Sequence, residues 1–203
     1  MYGGLLTFLE TLNQILTAAI AITSFSLLLY SFAFNLRDRV ARSFALILIC
    51  VTIVYTAEAL GSIASTEWSI DFWLRMEWVG IVWLPPTYFH FSDALLATTG
   101  KPSKWRRYWL IRISYLVSLF FLITLIFSSL VGPVIPEAQP APHLQPTPLT
   151  TLFLVYYTGL MVLSWVNFYR AYQRTKTSTS RRRMVYLIIG AISPAIGSIP
   201  YLL

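Results

Sequence analysis

Six runs of roughly twenty mostly apolar residues, separated by short charged or proline-rich segments, dominate this 203-residue chain. Runs of that length match the hydrocarbon thickness of a bilayer. They fall at residues 12–34, 43–63, 72–96, 108–130, 150–169 and 184–203. Charged residues make up only 11% of the chain and hydrophobic ones 57%, with a mean hydropathy of +0.66. An ordinary soluble domain carries about a quarter charged residues, so a surface solvated on all sides cannot be built here. The runs lack the two-residue alternation of a transmembrane barrel. The sequence therefore predicts an all-α, polytopic transmembrane bundle of six spans, forming a single domain over residues 1–203.

The loops give this bundle an orientation. Arg37, Arg39 and Arg42 follow the first span, Lys101, Lys104, Arg106 and Arg107 the third, and Arg170, Arg174, Lys176, Arg181, Arg182 and Arg183 the fifth. Together they are 13 of the 15 basic residues. The N-terminal segment with Glu10, the loop with Glu67 and Asp71, and the loop 131–149 with Glu137 contain no Lys or Arg. The positive-inside rule then puts the N-terminus outside and the three basic loops in the cytoplasm. The net charge of +7 is accounted for by an anionic inner leaflet, and a nucleic-acid role loses its support. No basic segment or small-residue cleavage site precedes the first run, so the reading includes no removable leader.

The loop 131–149 holds Pro133, Pro136, Pro140, Pro142, Pro146 and Pro148, a density that favours extended polyproline over helix or sheet. It reads as a semi-rigid strap, either a lid or docking edge over the outer face or a plain connector. The single cysteine, Cys50, excludes an internal disulfide, a thiolate cluster and a CxxC redox pair. No nucleophile elbow, P-loop, nucleotide fingerprint or kinase signature occurs, and the loop 170–183 is too short for a catalytic domain. The chain reads as a non-enzyme, and its sequence names no cofactor.

Charges inside the hydrocarbon cost about 2.5–3.5 kcal/mol each on insertion scales, so each needs a partner or a wet cavity. They fall into two layers. Near the outer interface Glu58 ends the second span while Arg75 and Glu77 open the third, and matched depth predicts a Glu58–Arg75 pair. Near the inner interface Asp93 and Arg112 are predicted to pair across the basic loop. His90 lies one turn before Asp93 on the same face. Each pair reads either as an ion pair fixing helix register or as a ligand- or proton-sensing site. His90 lacks a second histidine or ligand set near it, which favours a hydrogen-bonded packing role over metal binding. Pro85 and Pro86 are predicted to kink the third helix, and Gly190, Pro194, Gly197 and Pro200 to bend the sixth. Such kinks serve close packing or a signalling hinge. Trp68, Trp73, Trp78, Trp105 and Trp109 are assigned to interfacial belts.

The third span also carries a likeness. Its stretch Trp73, Leu74, Arg75, Met76, Glu77, Trp78, Val79, Gly80, Ile81, then Pro85, Pro86, Phe89, Phe91 and finally Thr98, Thr99, Gly100 resembles the N-terminal seven-helix sensor region of bacterial histidine kinases. There an Arg-Leu-like opening, a glycine, a mid-helix proline, a phenylalanine and a closing Thr-Gly recur. Arg170, Tyr172, Arg174, then Arg181 to Arg183, Gly190 and Pro194 are similar to the basic loop and Gly-Pro helix before that family's last span. The family continues through a seventh helix into cytoplasmic sensor, dimerisation and ATP-binding domains, whereas this sequence ends at Leu203. The expectation is thus a sensor region without its kinase, either an isolated piece or a relative reused without one.

The resemblance implies a multi-pass protein of the bacterial inner membrane, working as a sensory input module in a two-component system. It would act as a homodimer or with other membrane subunits, and a small ligand would bind at the outer face. The alternative is a structural or assembly subunit of a larger membrane complex, with transport a distant third.

Overall fold

The computed structural model describes residues 2–34, 37–100, 105–127, 129–135, 142–175, 181–182, 184–186 and 189. Five long helices follow one another: α1 (Tyr2–Phe34), α2 (Arg39–Gly61), α3 (Glu67–Ala97), α4 (Trp105–Ile126) and α5 (Pro148–Arg174). A two-stranded antiparallel hairpin, β1 (Val131–Ile135) and β2 (His143–Pro146), joins α4 to α5. Among the described residues four segments are long and apolar enough to cross a membrane: Thr11–Ala33, Arg39–Gly61, Trp105–Ile126 and Pro148–Arg174. The predicted sixth span lies almost wholly outside the described residues, and Gly190, Pro194, Gly197 and Pro200 lie outside them entirely.

The helix that fails the apolarity test is the centre of the fold. α3 packs against α2, α4, α5 and both strands, and between Glu77 and Leu96 only Val79, Trp83 and His90 are not buried. A helix enclosed by other helices can carry charge that lipid would not tolerate. The outer helices show the opposite pattern. α1 packs on α2 alone among the strongly packed pairs and leaves Ile15, Leu16, Ile22 and Phe25 exposed, as a lipid-facing helix does.

Where α2 crosses α3 the backbones approach closely at Gly80. A Cβ there would lie 2.6 Å from Val54 Cγ2 and 2.8 Å from the carbonyl oxygen of Cys50. Small residues permit such contacts, which matter because lipid tails are as apolar as leucine and leave packing to hold helices together. The aromatic core lies on the other side of α3, where Phe153 packs against Trp78 at 5.8 Å and Phe121 at 5.2 Å between ring centroids. Trp78 is thus a core residue, 8% exposed, and not part of an interfacial belt. Its neighbours Phe121 and Phe153 are distant in sequence, so nothing local marks it. Trp68 and Trp105 are exposed.

α3 runs as one helix through Pro85 and Pro86. Proline lacks an N–H, so Pro86 cannot donate to the carbonyl one turn back, that of Val82. Ser118 of α4 fills the gap, its hydroxyl donating to Val82 O at 2.8 Å. Ser118 Oγ also lies 2.9 Å from the Tyr156 hydroxyl of α5, which donates to Ser114 O at 2.7 Å. A helical defect therefore becomes a polar link among three helices, as a dry environment requires.

The segment between α4 and α5 departs from the polyproline strap. Val131 pairs with Pro146, Val134 with Leu144 and Ile135 with His143, with a break in register between Val131 and Val134. Pro133 falls in that irregular stretch and Pro146 at a strand end, the positions where a sheet tolerates a missing donor. Pro136, Glu137 and Pro140 lie outside the described residues. Thr147 closes the unit by capping α5, its hydroxyl also donating to Leu130 O at 2.7 Å.

Substitutions at Gly80, Gly159, Ser118 and Pro86 test this packing. Gly80→Ala should cost about 1–3 kcal/mol of stability in detergent through overpacking, while Gly159→Ala, with nothing within 4 Å of its Cβ position, should be neutral or stabilising. Ser118→Ala should cost about 1–2 kcal/mol, and less in a Pro86→Ala background, where residue 86 regains a donor for Val82 O. Thermal unfolding of the parent, the four single variants and the Ser118→Ala/Pro86→Ala double variant reads both effects; equal serine costs in both backgrounds would exclude the repair.

Candidate functional site

The ion pairs of the bundle lie toward its two ends. At one end, the end of the three basic loops, Asp93 is fully buried. Arg39 Nη2, from the first turn of α2, reaches Asp93 Oδ2 at 3.0 Å, and Arg107 Nη1, from the first turn of α4, reaches Oδ1 at 3.2 Å. Each oxygen of one carboxylate thus holds a different helix against α3. At the adjacent residue of α3, Asn167 of α5 donates to Ser92 Oγ at 3.1 Å, so all three partners of α3 are tied at this level.

Arg112 is not the partner of Asp93. It lies five residues beyond Arg107, about 140° around a helix that turns about 100° per residue, and its guanidinium stacks over Tyr108 at 4.3 Å on the exposed face of α4. Depth along the axis was matched, but azimuth was not. His90 faces α4, with Nδ1 3.3 Å from the Tyr115 hydroxyl and the two rings edge to face. It also borders an apolar hollow of about 440 Å³ beside Arg39 and Arg42.

At the opposite, hairpin end, Arg75 and Glu58 do not pair either. Arg75 Nε donates to Asp71 Oδ2 at 2.7 Å, one turn back on the same helix, and Nη2 to Gly132 O of β1 at 3.2 Å. A partner four residues away requires no helix–helix closure, and the arginine then lashes the hairpin to α3. Glu58 accepts from Thr17 Oγ1 of α1 at 3.2 Å through Oε1, while Oε2 is buried without a hydrogen-bond partner.

Between α1, α2 and α3 at this end lies a cavity of about 200 Å³. Asn13, Gln14 and Thr17 line it from α1, Glu58, Gly61 and Ser62 from α2, and Ile70, Leu74 and Glu77 from α3, with Pro142 of the hairpin loop at its edge. Residues 70, 74 and 77 share one helix face by their spacing; Arg75 points elsewhere, to the hairpin. Glu77 is only 4% exposed and makes no ion pair or hydrogen bond with any described residue. Glu58 and Glu77 line the same cavity. Among the described residues no group of three His, Cys, Asp or Glu comes together as a metal site would need.

Apolar helices with lipid-ready outer faces, wrapped around one helix that carries the buried charge, make a multi-pass membrane protein. The chain belongs to a particular family of these: residues 16–203 match the family model of the N-terminal 7TM region of histidine kinase. No curated protein and no solved structure matches the chain.

The residues that carried the likeness hold structural positions in α3. Gly80 permits the close contact with α2, and Phe91 packs against Phe44 of α2 and Phe168 of α5. Thr98 and Thr99 return their hydroxyls to Leu95 O and Leu96 O at 2.7 Å, and Gly100 leaves the helix at φ 85°. That left-handed value favours glycine.

Breaking a buried pair by removing one partner costs about 3–5 kcal/mol, so Asp93→Asn should produce a loss of that order. Arg107→Met should cost more than Arg39→Met, because the Arg107 side chain is 16% exposed and that of Arg39 40%. Thermal unfolding in detergent measures the order; a stable Asp93→Asn protein would contradict the assignment.

Proposed function

We propose that the chain is the signal-input region of a membrane-bound histidine kinase system, seated in the inner membrane of a bacterium. The N-terminus and the β-hairpin face outward, the basic loops after α1, α3 and α5 face the cytoplasm, and residues 184–203 form a sixth span. The distribution of Lys and Arg among the loops supports that orientation. Kinase activity is no part of the proposal.

The observation that carries the reading is the build of α3. One helix, buried on nearly every side, presents Glu77 to a cavity at the hairpin end and Asp93 to two arginines at the basic end. The Pro85–Pro86 step lies between them. A change in charge or packing at the cavity thereby acts on the same continuous helix that holds α2 and α4 at the basic end. Coupling of this kind requires a ligand that binds two arrangements of the helices with different affinity.

Purification in mild detergent tests the reading against its competitor. The sensor reading expects a free homodimer carrying a small molecule; stoichiometric enzyme subunits on this chain would favour an assembly role in a larger complex. Topology is tested by labelling single cysteines at Ser65 and Ser178 in a Cys50→Ala background. Ser65 should react from outside intact cells and Ser178 should not; the reverse pattern would overturn the orientation.

A further inference from the structure

We infer that the cavity between α1, α2 and α3 binds a small organic ammonium ion, with its charged head between Glu58 and Glu77 and its carbon body against Ile70 and Leu74. The inference rests on reading this cavity as the input site and names the chemistry of what enters it.

Two carboxylates, that of buried Glu77 and that of half-buried Glu58, line one space whose described lining contains no Lys or Arg. Among the described residues Arg75 is the one Lys or Arg near the hairpin end; it does not line the cavity, and its Nε and Nη2 go to Asp71 and to the Gly132 carbonyl while Nη1 is buried without a partner. Glu58 Oε2 is buried without a partner, and Glu77 is buried at the cavity wall without one among the described residues. Buried charges in proteins are paired or hold a cation. An unmet pair of acids beside a cavity therefore selects for positive charge.

The kind of cation follows from the rest of the lining. A hard metal ion asks for six or more converging oxygens, whereas here two carboxylates share the space with amides, one or two hydroxyls and apolar walls. A volume of about 200 Å³ also exceeds the needs of a bare ion, since one water occupies about 30 Å³ of liquid. An ammonium group donates N–H bonds to both carboxylates, and Asn13 and Thr17 offer further polar contacts from α1. Ile70 and Leu74 cover the carbon body.

The test uses the full chain in detergent, titrated with ethylammonium chloride by calorimetry and thermal unfolding, with sodium chloride and magnesium chloride as separate arms at equal ionic strength. Ethylammonium should bind saturably and raise the melting temperature. Glu58→Gln and Glu77→Gln should each weaken binding about tenfold or more, equivalent to one charged contact. Both variants keep side-chain size and remove an unmet buried charge, so without ethylammonium they should melt no lower than the parent. Glu67→Gln, an exposed acid at the same end of α3, should leave binding unchanged.

Absence of saturable ethylammonium binding, binding indifferent to both glutamates, or glutamate-dependent binding of magnesium in its place would each overturn the assignment. A site that behaves as expected in a chain purified with enzyme subunits would leave the ammonium assignment standing and remove the sensor reading. A ligand-carrying homodimer that ignores ethylammonium would do the reverse.

Discussion

The Asp93 carboxylate is the constraint on which the arrangement of helices depends. It is fully buried, and its two oxygens are taken by arginines from the starts of two different helices. A carboxylate at that depth is tolerable only while both partners stay in place, so the register of α2 and α4 against α3 is set there. Everything nearer the hairpin end is positioned from this anchor, by helices that rise about 1.5 Å per residue. Glu58 comes level with Glu77 in this way, and Gly80 meets the backbone of α2 at Cys50.

Between the two ends the contacts are of a different kind. Apolar burial does not draw helices together in lipid as it does in water, so interlocking shape and a few polar links decide which faces meet. The carbonyl that Pro86 leaves without a helical donor is caught by Ser118, which reaches Tyr156 in turn. The prolines thus bind α3 to α4 and α5 at mid-depth instead of merely interrupting it. α3 is joined to its neighbours both at its basic end and at mid-depth.

Length, apolarity and loop charge made the helical bundle legible in the sequence, because each depends on residues close together in the chain. The polar layers at Glu58, Arg75, Glu77 and at His90, Asp93 were legible too, since charge in an apolar run stands out at any resolution of reading. Partners were not. Depth alone suggested Glu58–Arg75 and Asp93–Arg112, but pairing also requires azimuth, and that is decided by how α3 is surrounded. The Asp71–Arg75 spacing of four was open to inspection and gave the better answer. Arg39 and Arg107 looked like ordinary loop charges because an orientation signal and an ion-pair partner have the same composition. The hairpin was hidden by its prolines, which fall at a register break and a strand end, and Ser118 carried no signal until Pro86 was known to face it.

The central claim is that α3 couples the cavity to the basic end, and a distance measured across the basic end tests it without reference to any ligand. Spin labels at Arg37→Cys and Arg106→Cys, both exposed positions near the starts of α2 and α4, would be placed in a Cys50→Ala background with and without Glu58→Gln and Glu77→Gln. Neutralising the cavity stands in for its occupation by a cation. The account predicts that the label-to-label distance distribution shifts between the two proteins in reconstituted membranes. Superimposable distributions, with the cavity neutralised and the fold intact, would contradict it.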